Sequence, residues 1–253
     1  MTRPDVRLPS GYRFSGVHCG LRPDPDRRDL ALIVSDRPAS AAGVFTQNRI
    51  CAAPVHVCRE RLPRNDARGV VICSGNANAC TGEQGMRDAR AMTDLLAREL
   101  GCAAEQVLVC STGVIGRLLP MNVFETGVPK AFGKLTSERS GFDDAAHAIL
   151  TTDTRVKTTS HPLATGTLTG FAKGAAMIGP NMATMLGFLM TDARVEPGDL
   201  HAVLKGSVEK SFNCVSVEGH TSTNDTVLIL ANGEGEPLKG AALAKFSNAV
   251  HQT

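Results

Sequence analysis

Two loops of the sequence place small hydroxylated residues and glycines where a ligand could bind. In CSTGVIG, residues 110–116, Thr112 offers a hydroxyl, and Gly113 lets the backbone approach a ligand closely enough for its N–H to stabilise an oxyanion. CSGNANACTG, residues 73–82, combines similar residue types. Asn and Gly are also common turn residues, so an ordinary strand-to-turn junction stays an alternative for both loops.

A third segment, GFAKGAAMIGPNMATMLGFLMTDA at residues 170–193, has an apolar middle that nevertheless carries Lys173, Pro180, Asn181 and Thr184. A plain core strand or helix would not favour this mixture. It indicates either a functional segment or a kinked core segment with one hydrogen-bonded threonine. Residue types alone leave both interpretations open.

Apolar runs and amphipathic segments alternate along the chain, which predicts mixed α and β structure. Apolar positions at helical spacing predict a helix at residues 84–100 that ends at Gly101, and further helices at 199–213 and within 234–253. We expect buried strands at residues 30–35, 69–76, 106–112, 214–219 and 225–233. The predicted fold is an α/β layered sandwich whose topology the pattern does not define.

Composition and charge exclude several classes of protein. A chain of 253 residues with 42% hydrophobic residues can bury a sizeable core. Its net charge of +2, its single Tyr and its lack of Trp argue against nucleic-acid binding, so small molecules are the expected partners. No run approaches the roughly 18 apolar residues of a membrane helix, and the N-terminus lacks the apolar run of a signal peptide. We therefore expect a cytoplasmic protein.

The eight cysteines form no CxxC pair and show no metal-ligand spacing to any of the seven histidines. Free thiols, buried or half-buried, are therefore expected, and no metal site. The sequence also shows no convincing Ser/His/Asp or Cys/His arrangement.

Six long motifs together cover nearly the whole chain: DLALIVSDRPASAAGVFTQNRICAAPV, CSGNANACTG, STGVIG, AILTTDT, KGAAMIGPNMATML and SFNCVSVEGHTSTNDTVLILANG. In order and spacing they resemble segments of the ornithine acetyltransferase family of arginine biosynthesis. The resemblance implies an acyltransferase with a layered α-β-β-α sandwich of the self-processing ornithine acetyltransferase and aminopeptidase type.

In that family the protein itself cuts the peptide bond before the threonine of an MATML-type motif. The resemblance therefore implies that Thr184 is the nucleophile and that the bond between Ala183 and Thr184 is cleaved. Residues 1–183 would become an α subunit, and residues 184–253 the first part of a β subunit, in an α2β2 assembly. Cleavage would free the α-amine of Thr184, whose ordinary pKa of about 7.7–8.0 suits a base that activates its own hydroxyl.

The implied reaction moves an acetyl group from N-acetylornithine to glutamate through an acetyl ester on the nucleophile. Thr112 and Gly113 match the oxyanion-hole pair of the family, and Lys173 matches a substrate-binding lysine. Thr151, in preference to Thr152, matches another substrate contact. No cofactor is implied. Some family members also use acetyl-CoA as a donor, and the sequence leaves this open for the present chain.

Family members continue beyond the position that matches Thr253, and that further part supplies additional substrate contacts. Glu218 is not assigned to this role, because a solvated or capping carboxylate explains it as well. Two other functions stay open. One is a self-processing amide hydrolase or aminopeptidase of related fold, which would transfer the acyl group to water. The other is a binding protein that only holds an amino acid.

Overall fold

The computed structural model describes residues 6–175, 184–215 and 221–253. Within these residues the strands are β1 (Tyr12–Val17), β2 (Leu30–Phe45), β3 (Arg64–Asn76), β4 (Val107–Val114), β5 (Lys157–Leu163), β6 (Gly166–Lys173), β7 (Leu186–Thr191) and β8 (Thr226–Ala231). The helices are α1 (Ala53–Arg61), α2 (Gly82–Leu100), α3 (Met121–Phe132), α4 (Arg139–Ala148), α5 (Pro197–Lys210) and α6 (Gly240–Gln252). The strands form one sheet in the order β4-β3-β2-β8-β7-β6-β5, and β1 pairs with β2 beside this path.

Most elements predicted from the sequence are present. The apolar runs lie in β2, β3, β4 and β8, and the predicted helices correspond to α2, α5 and α6. Helix α2 ends at Gly101, which adopts a left-handed conformation, and the Gly101 N–H bonds to the carbonyls of Ala97 and Arg98. The sequence predicted a strand that begins at residue 214. This start is wrong, because Cys214 is the last residue of a 3₁₀ turn. Residues 216–220 lie outside the described residues.

Strand β2, which is 16 residues long, joins the two halves of the sheet. Its first part pairs with β1 and β3, so that Leu30 lies opposite Cys73. Its last part pairs with β8, so that Phe45 lies opposite Thr226. The register of β2 against β3 shifts between Val34 and Ala41. Such irregularities bend a strand and increase its twist, which allows β2 to turn from one half of the sheet into the other.

The sheet is folded over at this bend. In a flat sheet the end of β3 and the start of β8 would lie about 50 Å apart, because they meet opposite ends of β2 and a strand rises about 3.3 Å per residue. In the protein, Asn224, two residues before β8, donates hydrogen bonds from its side-chain amide to the carbonyl oxygens of Ala77 and Ser111, at 2.6 and 2.8 Å. Ala77 follows β3 and Ser111 lies in β4. The two halves therefore form separate layers.

Helices cover the layers on their outer sides. In β8, Leu228 and Leu230 belong to the core that includes residues of α1, α2, α3 and α4. Val227, Ile229 and Ala231 point the other way, into the core formed with α5 and α6. Because both faces of β8 are buried, its sequence is a continuous apolar run instead of an alternating one. This arrangement confirms the predicted layered α/β fold.

All eight cysteines are free thiols, but their exposure departs partly from the prediction. Cys58, Cys73 and Cys110 are buried, whereas Cys80 and Cys214 are exposed. Cys80 lies in a loop with a positive φ of 57°, and Cys214 lies in the 3₁₀ turn after α5, so neither is drawn into the core by a strand or helix. None of the described helices is long and apolar enough to cross a membrane.

Phe142 of helix α4 connects the two layers. Its fully buried ring makes edge contacts with Phe14 of β1 and Phe171 of β6, with centroid distances of 5.4 and 5.3 Å. Phe171 in turn packs against Phe188 of β7 at 5.3 Å. A row of aromatic rings thus crosses from the first layer to the second, and it adds pair contacts to the apolar area that is buried.

We expect Phe142→Ala to lower the free energy of unfolding by about 3–5 kcal/mol, because it removes a buried ring and leaves a cavity between the layers. Ile50→Ala is the control, since Ile50 is 61% exposed and such substitutions usually change stability by less than about 0.5 kcal/mol. Chemical denaturation followed by circular dichroism measures both values. Equal effects of the two substitutions would show that Phe142 does not connect the layers.

Candidate active site

The amine of Lys173 and the hydroxyl of Thr112 meet inside the protein. Lys173 is the last residue of β6, and Thr112 lies near the end of β4 in the other layer. Because the sheet is folded over at β2, Lys173 Nζ donates a hydrogen bond of 2.7 Å to Thr112 Oγ1. Both residues are buried, with 3% and 6% of their surface exposed. Two predicted site residues are thus in direct contact.

Burial brings the pKa values of two groups in this region, Lys173 and Asp225, closer to neutral pH. It lowers the pKa of Lys173 from 10.5 to about 8, because the ammonium loses its hydration, although the carboxylates of Asp153 and Asp225 oppose this shift. Burial raises the pKa of Asp225 to about 7, against the opposing effects of the Met185 N–H and the Lys173 charge. Groups whose pKa values are shifted in this way are typical of functional sites.

Asp153 lies close to the end of β6. Its Oδ1 accepts a hydrogen bond of 2.8 Å from the N–H of Gly174 and forms an ion pair with Lys157. Burial alone would raise the pKa of Asp153, but the contacts with Lys157 and Gly174, together with the charges of Lys157 and Lys173, hold it below its ordinary value. Asp153 is therefore ionised at neutral pH and favours a protonated Lys173.

Thr184 lies two residues before the start of β7. Its backbone has a conformation that its β-branched side chain disfavours. Its φ is +50°, in the left-handed region that β-branched residues rarely adopt. Gly174 lies so close that a β-carbon there would come within 3.0 Å of the Thr184 carbonyl oxygen. The next residue, Met185, donates its N–H to Asp225 Oδ1 at 2.9 Å. Strain of this kind concentrates at functional sites.

Gly113 lies in β4 where the backbone of β3 leaves no room for a side chain. It is the register partner of Gly75 and has a φ of +135°. A β-carbon at Gly113 would lie only 2.3 Å from the carbonyl carbon of Gly75, so this position requires glycine. Thr112, the residue before it, pairs with Ser74 in the same ladder. The close packing fixes the backbone beside the Lys173–Thr112 contact.

The two glycine-rich loops form one unit. Ala77 donates its N–H to the carbonyl of Val114, and Gly116 donates to the carbonyl of Ala79, both at 2.9 Å. The side chain of Asn76 adds hydrogen bonds to the carbonyls of Arg117 and Leu118. The loops that the sequence suggested separately are thus joined.

A cavity of about 410 Å³ opens beside this unit, and it is lined by Gly113, Thr151 and Thr152 together with Arg22 and Arg27. The structure therefore brings the predicted oxyanion glycine and both candidate threonines to one cavity. A larger cavity of about 480 Å³ lies between β6, β7 and helices α5 and α6, but its lining includes none of the predicted site residues. We assign the smaller cavity to the site, because predicted site residues line it.

Two arginines hold the loop that carries the threonines. Arg22 donates hydrogen bonds to the carbonyls of Ser74 and Leu150, and Arg27 donates to the carbonyl of Thr151 at 2.9 Å. The loop is thereby fixed against the end of β3. The lining carries these two arginines and one carboxylate, Asp24, so this side of the cavity has a net positive charge.

The structure places most predicted site residues within one region. Thr112 and Lys173 are in contact, Gly113 and Thr151 line the same cavity, and Thr184 lies against Gly174, next to Lys173. Ala183 and Glu218 lie outside the described residues.

Five residues of the site were not predicted: Arg22, Arg27, Asp153, Asn224 and Asp225. For Asn224 and Asp225 the signal in the sequence is a run of polar residues, TSTND, directly before a predicted strand. That pattern is equally typical of turns. Within the described ranges, no group of three or more His, Cys, Asp or Glu residues could hold a metal ion.

The sequence of the chain matches known proteins over almost its whole length. The profile of the ArgJ family matches residues 13–253. The chain belongs to the ArgJ family. It is similar to arginine biosynthesis bifunctional protein ArgJ from Caldanaerobacter subterraneus and from Geobacter sulfurreducens, with 48% identity to each over 91% and 90% of this chain. The chain spans 57% and 58% of the length of these two ArgJ proteins.

Solved structures of the ArgJ family share the fold. The arginine biosynthesis bifunctional protein argJ from Bacillus halodurans is 38% identical, with a TM-score of 0.65 over 69% of this chain and 92% of that chain. Ornithine acetyltransferase from Mycobacterium tuberculosis, complexed with ornithine, is 37% identical, with a TM-score of 0.65 over 70% of this chain and 93% of that chain.

A more distant structure shares the fold alone. The L-aminopeptidase D-Ala-esterase/amidase from Ochrobactrum anthropi, described as a variant of the Ntn hydrolase fold, is 14% identical, with a TM-score of 0.58 over 98% of this chain and 81% of that chain. Together with the ArgJ structures, it confirms the fold class that the sequence predicted, the α/β fold of ornithine acetyltransferases and related aminopeptidases.

The shifted pKa of Lys173 predicts a pH dependence of stability. The unfolded chain keeps this amine protonated up to its ordinary pKa of 10.5, whereas the folded protein releases the proton near pH 8. Between these values the unfolded state binds more protons, so the free energy of unfolding should rise with pH relative to a Lys173→Met variant. Between pH 8 and 10.5, the difference in the free energy of unfolding between wild type and Lys173→Met should change by roughly 3 kcal/mol.

Denaturant unfolding at several pH values from 7.5 to 10.5 measures this difference. Lys134→Met, at an exposed position of the chain, controls for the loss of one lysine charge. A difference between wild type and Lys173→Met that stays constant with pH would show that the folded protein does not perturb this amine.

Proposed function

We propose that the protein is an ornithine acetyltransferase of arginine biosynthesis, which transfers the acetyl group of N-acetylornithine to glutamate. The observation that carries the proposal is the buried hydrogen bond from Lys173 to Thr112 beside Gly113. Because the Lys173 ammonium donates to Oγ1, the hydroxyl hydrogen of Thr112 points elsewhere. The hydroxyl of Thr112 can therefore donate this hydrogen to an oxyanion, together with the Gly113 N–H. The names of the ArgJ relatives support a role in arginine biosynthesis, and the similar Mycobacterium tuberculosis protein, named ornithine acetyltransferase, supports the reaction.

The nucleophile of the proposed reaction is Thr184, which self-cleavage exposes. Its Oγ1 attacks the carbonyl carbon of Ala183, the C–N bond breaks as the Thr184 nitrogen takes up a proton, and water hydrolyses the resulting ester. The products are an α subunit of residues 1–183 and a β subunit that begins at Thr184. The positive φ of Thr184 supports this step, because strain in the uncut chain that is relieved on cleavage lowers the barrier.

The length of a related chain supports the same cut. The part of this chain that matches the Mycobacterium tuberculosis ornithine acetyltransferase is 70% of this chain but 93% of that chain. That chain is therefore about three quarters as long as this one, close to the length of residues 1–183.

Acetyl transfer then proceeds in two steps. Thr184 Oγ1 attacks the acetyl carbonyl of N-acetylornithine while the free α-amine of Thr184 takes the hydroxyl proton. The amine passes this proton to the leaving nitrogen of ornithine, and an acetyl ester remains on Thr184. The amine of glutamate attacks the ester, N-acetylglutamate leaves, and Thr184 regains its hydroxyl. Both tetrahedral intermediates place an oxyanion between Thr112 and Gly113.

The charges of the site suit these substrates. Ornithine and glutamate share an α-carboxylate, which Lys173 and the arginine-lined cavity attract, and Thr151 makes a further substrate contact. The related enzyme from Mycobacterium tuberculosis was solved in complex with ornithine. The steps use no cofactor. The word bifunctional in the names of the ArgJ relatives leaves room for acetyl-CoA as a second acetyl donor.

The two chains produced by the cut stay associated in this proposal. The cut falls in an apolar segment, so separate chains would expose core surface to water. Two such heterodimers form the proposed α2β2 assembly, in the cytoplasm.

We expect the full-length protein, isolated without added protease, to consist of two chains that meet between Ala183 and Thr184. Thr184→Ala should be a single uncut chain without transferase activity, because it lacks the attacking hydroxyl. Intact mass spectrometry measures both proteins. An uncut wild type, or a Thr184→Ala variant that behaves like wild type, would refute the proposal and favour a protein that only binds an amino acid.

We expect Thr112→Ala to lower kcat/KM of acetyl transfer by about 10²–10³, because one oxyanion donor is lost. The assay uses fully cut protein, so that slow self-cleavage does not enter the rate. Thr126→Ala, at an exposed position of α3, should keep the wild-type rate. Equal rates for the two variants would remove Thr112 from the mechanism.

A self-processing amide hydrolase is the second candidate, because the fold is shared with the Ochrobactrum anthropi aminopeptidase. Such an enzyme would use the same nucleophile but transfer the acetyl group to water. Acetate release from N-acetylornithine at equal rates with and without glutamate would support it. Formation of N-acetylglutamate, with little acetate, supports the transferase.

A further inference from the structure

Asp225 is a buried carboxylate that the proposed steps do not use. It directly precedes β8 and has no exposed surface. A buried carboxylate is costly unless it is hydrogen-bonded or paired. Its Oδ1 accepts the N–H of Met185 at 2.9 Å, whereas its Oδ2 is buried and has no hydrogen-bond partner among the described residues. The N–H of Thr184 lies close enough to lower the pKa of this carboxyl. The carboxylate therefore holds the residue after the nucleophile and keeps one acceptor oxygen available.

The backbone around Thr184 is held from both sides. On one side, Lys173 lies opposite Leu186 in the β6–β7 register, and Gly174 packs against the Thr184 carbonyl. On the other side, the N–H of Thr226 donates to the carbonyl of Met185 at 3.3 Å. These contacts fix Met185 and the residues after it.

The contact from Asp225 comes from a side chain: its carboxylate accepts the N–H of Met185, and the N–H of Thr184 lies close enough to lower the pKa of the same carboxyl. A residue at φ +50° with a β-branched side chain persists only where its surroundings hold it. The backbone contacts would form in any strand pairing of this register, whereas the Asp225 contact depends on one side chain and can be removed by substitution.

We propose that Asp225 is the positioning residue for Thr184: its carboxylate holds the strained backbone before the cut and accepts a hydrogen bond from the Thr184 α-amine after it. This inference rests on the proposed self-cleavage. Before the cut, the carboxylate fixes the Thr184 nitrogen, so that Oγ1 can approach the Ala183 carbonyl. When the C–N bond breaks, that nitrogen becomes an amine and stays within reach of the carboxylate. The amine then faces its own hydroxyl, as a base must.

The experiment follows self-cleavage of the full-length protein over time. Wild type, Asp225→Asn and Asp225→Ala are made by cell-free synthesis, the synthesis is stopped, and the cut fraction is measured by intact mass spectrometry. Asp225→Ala should cut at least about tenfold more slowly than wild type, because hydrogen bonds to a charged group are lost. Asp225→Asn should lie between them, since its amide keeps one acceptor oxygen but lacks the charge.

Asp192 provides a matched control at the opposite end of β7. Its carboxylate accepts backbone N–H groups from Ser10 at 2.9 Å and from Thr167 at 2.6 Å. Asp192→Asn and Asp192→Ala therefore remove comparable hydrogen bonds without touching Thr184, and both should cut at the wild-type rate. Thermal unfolding of each uncut Asp225 variant is compared with that of uncut Thr184→Ala, which reports any loss of fold.

The outcomes separate this inference from the proposed function. If wild type never cuts, the proposed function fails, and the inference fails with it. If wild type cuts and Asp225→Asn cuts as fast, or no more slowly than Asp192→Asn, the inference alone is overturned. If Asp225→Ala does not fold, Asp225→Asn decides, and slow cutting by a variant that unfolds at the same temperature as Thr184→Ala supports the positioning role.

Discussion

Because strand β2 turns between Val34 and Ala41 from one layer into the other, strand ends that a flat sheet would separate by about 50 Å meet at one place. The hydrogen bonds from Lys173 to Thr112 and from Asn224 to Ser111 both span this junction. These polar contacts do not create the junction. The apolar packing of the layers holds the strand ends together, and the polar groups use the geometry that results.

The polar groups at the junction carry an energetic cost that the core must offset. Burying an amine and two carboxylates removes their hydration, and their mutual attraction compensates for this only in part. The result is visible in the pKa of Lys173, about 8, and of Asp225, about 7. A site that exchanges protons near neutral pH thus follows from burial, and the same burial makes the region sensitive to the loss of either charge.

The sequence predicted the elements of the fold better than their arrangement. Continuous apolar runs are typical of strands buried on both faces, and Gly101 marked the end of α2 correctly. Helix α3 was not predicted, since it contains Gly127 and Pro129, which are typical of turns. The bend in β2 left no clear signal, because SDRPAS reads as the end of one strand as readily as the middle of a long one.

The site was predicted from the family motifs more than from residue chemistry. Lys173 and Thr112 are 61 residues apart, and no local pattern predicts that they share a hydrogen bond. Asp225 and Asn224 read as turn residues before a strand, and only the folded sheet turns them towards Thr184 and the glycine-rich loops. Residue types gave candidate chemistry, whereas the topology determined which candidates meet.

The position of β7 and β8 in the sheet affects the order in which folding and the proposed cleavage can take place. These two strands lie between β2 and β6: β8 pairs with β2, and β7 pairs with β6. If the chain is cut before β7, the β subunit holds the middle of a sheet whose two flanks belong to the α subunit. Such an interleaved pair cannot form readily from two finished halves, because each half would present open strand edges that aggregate. Synthesis as one chain and division afterwards avoids this, so the proposed cut would have to follow folding and would then be irreversible.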